Sequence, residues 1–183
     1  NLGDAVDKWH HDTLPLDFVM TVTDPATLDG GHFEWFRGTK DEMVEIRARG
    51  EAMPRERVVA PAFPGPGYAI ALHGNMIVHR GAPLNALGER ISMVNGYVAM
   101  DSSADEQSRS RDLIVVDDPE LLYTEWAKYA AWRAHERLGA LIAELPFVAG
   151  YESASAKLEA SIVDVQRAIA DMRAGEVVVE HYE

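Results

Sequence analysis

Trp9-His10-His11-Asp12 is the stretch on which the fold and chemistry of this chain turn. At the end of an extended segment, alternate residues share a side, so His10 and Asp12 project together while His11 projects the other way. Two such donors hold a metal ion only with help from elsewhere. His79, far along the chain, offers a third ligand. Two histidines and one carboxylate on one side of an ion suit iron(II) and leave positions open for a co-substrate and for oxygen. The imidazoles bind as neutral donors, and the carboxylate offsets part of the metal charge. A bare His-x-Asp is common by chance and needs support from other residues.

Arg90-Ile91-Ser92 offers that support. On an alternating strand Arg90 and Ser92 share one face and Ile91 points away. An arginine inside a sandwich is costly unless paired, and a guanidinium fork beside a hydroxyl is shaped for a carboxylate. The plainer alternative is a surface arginine in a salt bridge.

The 183 residues suit one domain, and 47% hydrophobic with 26% charged residues is ordinary for a globular protein with a core. A formal net charge of −13 argues against binding nucleic acid or an anionic membrane through long-range electrostatics, while leaving room for a local basic pocket. The absence of cysteine removes disulfides, thiolate metal sites and cysteine nucleophiles, and fits a reducing, cytoplasmic location. No run approaches the roughly 18 apolar residues that span a membrane, and no signal peptide is visible.

Residues 5–12 read as a strand ending at the His-His-Asp. Further strands are expected at Asp17 to Thr23, His32 to Phe36, Arg57 to Ala60, Tyr68 to Leu72, Met76 to His79 and Arg90 to Met100, the last bulged at Gly96. Gly30-Gly31 allows a tight turn, and residues 61–67, with three prolines, form an irregular loop. Residues 39–49 are ambiguous, with Asp41 and Glu42 able to charge the start of a short helix. Asp101 to Asp112 reads as an exposed linker. Asp118 as N-cap and Pro119 at the first position open a helix that Pro146 ends. A second helix spans about residues 153–173. Its Leu158, Ile162, Val165, Ile169 and Met172 form a heptad-like seam. Val177 to Val179 is a candidate extra strand. Short strands separated by Gly/Pro turns and followed by a helical hairpin predict a mainly β fold, a sandwich or jelly roll with helices packed on one side. One domain results: a catalytic core over 1–100, a linker over 101–117 and helices over 118–183.

Together, Trp9-His10-His11-Asp12, the Gly-Gly-centred segment from Asp29 to Lys40, Val78-His79-Arg80-Gly81 and Arg90-x-Ser92 resemble the iron(II)- and 2-oxoglutarate-dependent dioxygenases, with the phytanoyl-CoA hydroxylase-like branch nearest. The resemblance covers about residues 9–98. It implies a cupin-like double-stranded β-helix with Fe(II) held by His10, Asp12 and His79. Arg90, helped by Ser92, would bind the distal carboxylate of 2-oxoglutarate, and O2 would take the open metal position. The implied reaction oxidises a small-molecule substrate, by hydroxylation first of all, and releases succinate and CO2. Halogenating relatives carry a small residue where this chain has Asp12, so the carboxylate favours hydroxylation, desaturation or another oxidation. The family normally has a strand and helices before the His-x-Asp, so further chain is expected to precede Asn1. Trp35-Phe36-Arg37-Gly38 also departs from the proline-glycine-serine-histidine run that phytanoyl-type sequences often carry, which leaves the substrate open.

Other residues have plainer roles. His11 faces away from His10 and Asp12 by alternation. His32 reads as a strand histidine ahead of one that hydrogen-bonds near the site, His73 as a solvated turn residue, and Arg80 as a surface arginine ahead of one that contacts substrate. Thr21 and Met20 are candidates to wall the co-substrate pocket, with core packing the default. Trp35, Phe36 and Arg37 suit either a substrate mouth or the core. The Trp126, Tyr129, Trp132 and Arg133 helix invites a ligand-binding reading, but aromatics at helical spacing read first as core. The seam of the last helix would form a homodimer if exposed, or a second layer if packed on the sandwich. Two further functions fit the composition: a cupin-like metal enzyme that does not use 2-oxoglutarate, and a non-catalytic module acting through the C-terminal helices.

Overall fold

In a computed structural model of the chain, which describes residues 7–110, 113–115, 117–175 and 181–182, the apolar alternation after Pro15 becomes strand β1 (Leu16–Thr21). β1 is the centre of a three-stranded antiparallel sheet, between β4 (Ala69–Leu72) and β6 (Ser92–Tyr97). Val19 sits opposite both Ile70 and Val94, and Thr21 opposite Ser92, which puts these residues on one face. Leu16, Phe18 and Met20 occupy the other face, where Phe18 meets Tyr97 edge-on. The pairing runs unbroken through Gly96, so the bulge expected there is absent. The glycine serves space instead: a Cβ would lie 2.2 Å from Leu14 Cδ1 and 3.0 Å from Asp17 Oδ1.

A second antiparallel sheet has β2 (Phe33–Phe36) between β3 (Val58–Val59) and β5 (His79–Gly81). The strand expected over 76–79 begins later. The turn at His73 continues through Met76 and Ile77, whose N–H groups both donate to His73 O, so pairing starts only at His79. Residues 7–12 do not form a strand; they touch β5 through an isolated bridge at His10. The ambiguous stretch is a helix, α1 (Lys40–Ala48), because Thr39 and Glu42 make a reciprocal capping box.

Each face of the second sheet carries its own core. On one face Phe33 packs with Val19 and Leu72 of the first sheet, flanked by Trp35 and Ile70. On the other, Phe36 and Val78 pack with Met43 and Ile46 of α1, with Trp9 and with Tyr182; Phe36 is 0% exposed. These sheets and α1 fall in one compact unit, Asn1–Val98 with Glu180–Glu183.

The second unit, Ala99–Val179, is a hairpin of α2 (Pro119–Glu144) and α3 (Tyr151–Ala174). Asp118 caps α2 by accepting from Glu120 N and Leu121 N. The segment from Asp101 to Ser110, read above as an exposed linker, is packed, with Glu106, Ser108 and Ser110 buried. Arginines of the helices hold it. Arg133, 1% exposed, donates to Ser102 O and Ala104 O and pairs with Asp164 at 2.8 Å. Arg137 also donates to Ser102 O, and Arg167 to Glu106 O. Tyr129 donates to the Glu106 carboxylate. Trp126, Tyr129 and Trp132 stack along α2 within this unit. The buried positions of α3 are Ser161, Asp164 and Ala168, not the heptad seam, whose Leu158 and Ile169 remain 51% and 42% exposed. The candidate strand at Val177 to Val179 lies outside the described residues.

Among the described residues the architecture is thus mixed sheet and helix, with two small antiparallel sheets and three α-helices. No helix among them is long and apolar enough to cross a membrane. Because Asp164 is the hydrogen-bonded carboxylate of the buried Arg133, whose second carboxylate, Glu106, lies farther off at 3.8 Å, Asp164→Ala should cost about 3 kcal/mol by removing the nearer counter-charge. Urea unfolding measures this, and a loss below about 1 kcal/mol would mean the pair is solvated.

Candidate metal centre

His10 and His79 are joined by backbone before their side chains meet. His10 N donates to His79 O at 3.0 Å and His79 N donates to His10 O at 2.8 Å. This two-way bond puts the residues directly opposite each other, and their ring centroids lie 4.5 Å apart. Asp12, two residues on, is fixed by its own N–H, which donates to Gly74 O at 2.8 Å. One ligand atom from each of His10, Asp12 and His79 then falls within 4.8 Å of the others.

The orientation of these groups fits a cation. His79 Nδ1 is 3.0 Å from Ile77 O and His10 Nδ1 is 2.7 Å from Lys8 O. A carbonyl accepts only, so each Nδ1 carries the proton, which leaves the Nε2 of a neutral ring as a lone pair. Those Nε2 atoms face the Asp12 carboxylate, at 3.4 Å for His10 and 3.3 Å for His79. Asp12 Oδ2 is buried and accepts no hydrogen bond from the described residues. Lone pair against lone pair is repulsive unless a proton or a metal ion lies between them. Fixing of histidine ligands by a hydrogen bond at the distal nitrogen is a common property of metal sites.

The electrostatics agree. Burial would raise the Asp12 carboxyl, but His10 and His79 beside it hold it below the ordinary range. Burial keeps His79 below the usual imidazole value. Burial would lower His10 too, but its hydrogen bond to Asp12 and the charge of Asp7 outweigh this and raise it to about 9. Without metal, a proton on His10 does part of the cation's work.

Thr21, Arg90 and Ser92 are brought together beside this cluster. A cavity of about 250 Å³ is lined by His10, Asp12, His79, Val19, Phe33, Arg90 and Ser92. An adjoining one of about 330 Å³ shares Val19, Phe33, Arg90 and Ser92 and adds Thr21 and Gly31. Arg90 is half-buried, and the loss of solvent lowers its pKa against the pull of Asp7. Among the described residues its guanidinium has no hydrogen-bond or ion-pair partner. Gly31, at φ +66°, clears its path, since a Cβ there would lie 2.7 Å from Leu84 Cδ2 and 3.3 Å from Arg90 Cδ.

Of the remaining sequence candidates, Arg80 lines the cavity of the cluster and His32 the adjoining one, while the others lie elsewhere. His11 is buried on the opposite side, against Tyr182. His32 pairs with Glu34, and His73 is exposed. Arg80 is not a free surface arginine: it donates to Glu34 at 2.7 Å and stacks over Trp9. Phe36 belongs to the outer core.

Asp17 is a neighbour the sequence did not single out. It is buried beside Asp12, and burial together with the Asp12 charge raises its carboxyl to about 7. Its place on the Val19–Thr21 face of β1 was the one available signal. Gly74 makes room for it, since a Cβ there would lie 1.7 Å from Asp17 Oδ2 and 2.9 Å from Asp12 Cβ. Compared with family models, curated proteins and solved structures, the chain has no match.

Two outcomes are expected. Metal must displace the His10 proton, so the apparent dissociation constant for a divalent ion should fall about tenfold per pH unit between about pH 6 and 8. Titrations at several pH values check this, and a flat profile would exclude His10 as a ligand. Gly74→Ala should weaken metal binding by about 10-fold or more by pushing Asp12 from its place, measurable by the same titration.

Proposed function

We propose that this chain carries the catalytic core of an iron(II)- and 2-oxoglutarate-dependent oxygenase acting on a small molecule, built on a double-stranded β-helix of which the two antiparallel sheets are part. The observation that carries this reading is Arg90: a half-buried guanidinium, without a partner among the described residues, on the wall of the cavity that holds His10, Asp12 and His79. An arginine in that position is costly unless it meets an anion. A dicarboxylate that reaches both the metal and the guanidinium explains why the two are neighbours.

Iron, when bound, would supply the oxidative decarboxylation of 2-oxoglutarate to succinate and CO2 and the oxidation of a substrate C–H bond. The protein's part is positioning and exclusion of water. Arg90 offers paired N–H donors to the distal carboxylate, and Ser92 a hydroxyl beside it. Thr21, opposite Ser92, walls the same pocket, although its hydroxyl already donates to Thr23 O. Val19 and Phe33 give the cavity an apolar side. The carbonyls of Lys8 and Ile77 keep both imidazoles in the ligand tautomer. Asp12 brings the negative charge that offsets the ion.

With iron(II), ascorbate and 2-oxoglutarate, the protein should release succinate, and His79→Ala should abolish this. Arg90→Ala should raise the KM for 2-oxoglutarate by about 10- to 100-fold, the loss of a charged hydrogen bond. Metal-dependent turnover that survives Arg90→Ala would point to a cupin-like enzyme without 2-oxoglutarate. A protein that binds no divalent metal would overturn both readings.

A further inference from the structure

Tyr182 lies far from the ligands in sequence, yet it is 6% exposed and belongs to the core that contains Trp9. Its N–H donates to Trp9 O at 2.8 Å. Its hydroxyl shares a 2.8 Å hydrogen bond with His11 Nδ1, and the two rings lie 5.6 Å apart. Arg47, on α1, sits 5.9 Å from the Tyr182 ring and donates to the carbonyl of His181. Trp9 precedes the first ligand, and His11 lies between the two ligands. Tyr182 therefore grips the residues on both sides of His10 from the face opposite the metal cluster.

The grip matters because the ligand segment lies outside the regular strands. Its backbone is held by the bridge to His79 and the bond from Asp12 N to Gly74 O. Resting on the metal reading of the site, we propose that His181-Tyr182 is a strap that keeps Trp9–Asp12 in its metal-binding conformation, with Tyr182 a positioning residue for His10 and Asp12. A segment ordered in advance loses less entropy when the ion binds. Outer partners of metal ligands commonly alter affinity by about 10- to 100-fold.

Manganese(II) titration of the whole chain, followed by the EPR signal of the free ion, tests the strap together with amide exchange of the metal-free protein. Tyr182→Phe keeps the ring and loses the His11 bond, and should weaken binding by about 3- to 10-fold. Tyr182→Ala should weaken it by about 10- to 100-fold. It should also speed exchange at the His10 and Asp12 amides relative to the Phe36 amide, which donates to Val78 O in the same unit. Ile46→Ala opens the same core without removing either bond to the ligand segment, and should leave that exchange ratio and the affinity near wild type. Unchanged affinity in Tyr182→Ala, or an equal loss in Ile46→Ala, would overturn the strap. Should Tyr182→Ala not fold, Tyr182→Phe decides by the same two readouts. If the wild-type protein binds no manganese, the metal reading is what fails, and exchange at His10 and Asp12 alone then decides whether Tyr182 orders the segment.

Discussion

The pair of backbone hydrogen bonds between His10 and His79 is the constraint on which the candidate centre depends. Two residues remote in sequence become directly opposite, at a separation fixed by peptide geometry rather than by flexible side chains. Both rings then lie on one side, and the carbonyls of Lys8 and Ile77 turn each Nε2 toward the same point. Asp12 follows from the next alternate position. The second sheet supports this bridge from below: β5 begins at His79, which is paired with Trp35 of β2.

Alternation divides the ligand segment between two environments. His10 and Asp12 face the cavity, while Trp9 and His11 are buried on the other side. The outer core of Phe36, Val78, Met43 and Ile46 seats Trp9 and Tyr182 behind the inner polar cluster. Tyr182 reaches the ligand segment directly, through hydrogen bonds to Trp9 O and His11 Nδ1. Charge is concentrated on the cavity side: Asp7 and Asp12 face His10, Asp12 also faces His79, and Arg90 has no partner among the described residues. Such a set is unfavourable on its own and is typical of a site that stabilises a ligand rather than the fold.

Much of the chain was legible from local rules. Asp118-Pro119 marked the start of α2, Gly/Pro turns separated the strands, and the period-two pattern of residues 17–23 marked β1 and its faces, though the strand ends at Thr21. The errors were equally local. The Ser- and charge-rich segment after Met100 has the composition of a linker, yet arginines spaced along α2 and α3 satisfy its carbonyls and bury it. The apolar seam of α3 suggested the packing face, but small and polar residues occupy the buried positions. There close helix approach and the Arg133–Asp164 pair decide the contact.

By itself the sequence determined residue chemistry and side: which residues can ligate, and that His10 and Asp12 share a face while His11 does not. It also suggested that Arg90 and Ser92 belong together. Period-two geometry is a property of the backbone and needs no tertiary information. The tertiary structure decided distance and company. Only it brings His79 onto His10, puts Arg90 beside them with no partner among the described residues, buries Asp17 against Asp12 and seats Tyr182 on Trp9 and His11. Those contacts join residues separated by long stretches of chain, and no local pattern encodes which remote partner closes the loop.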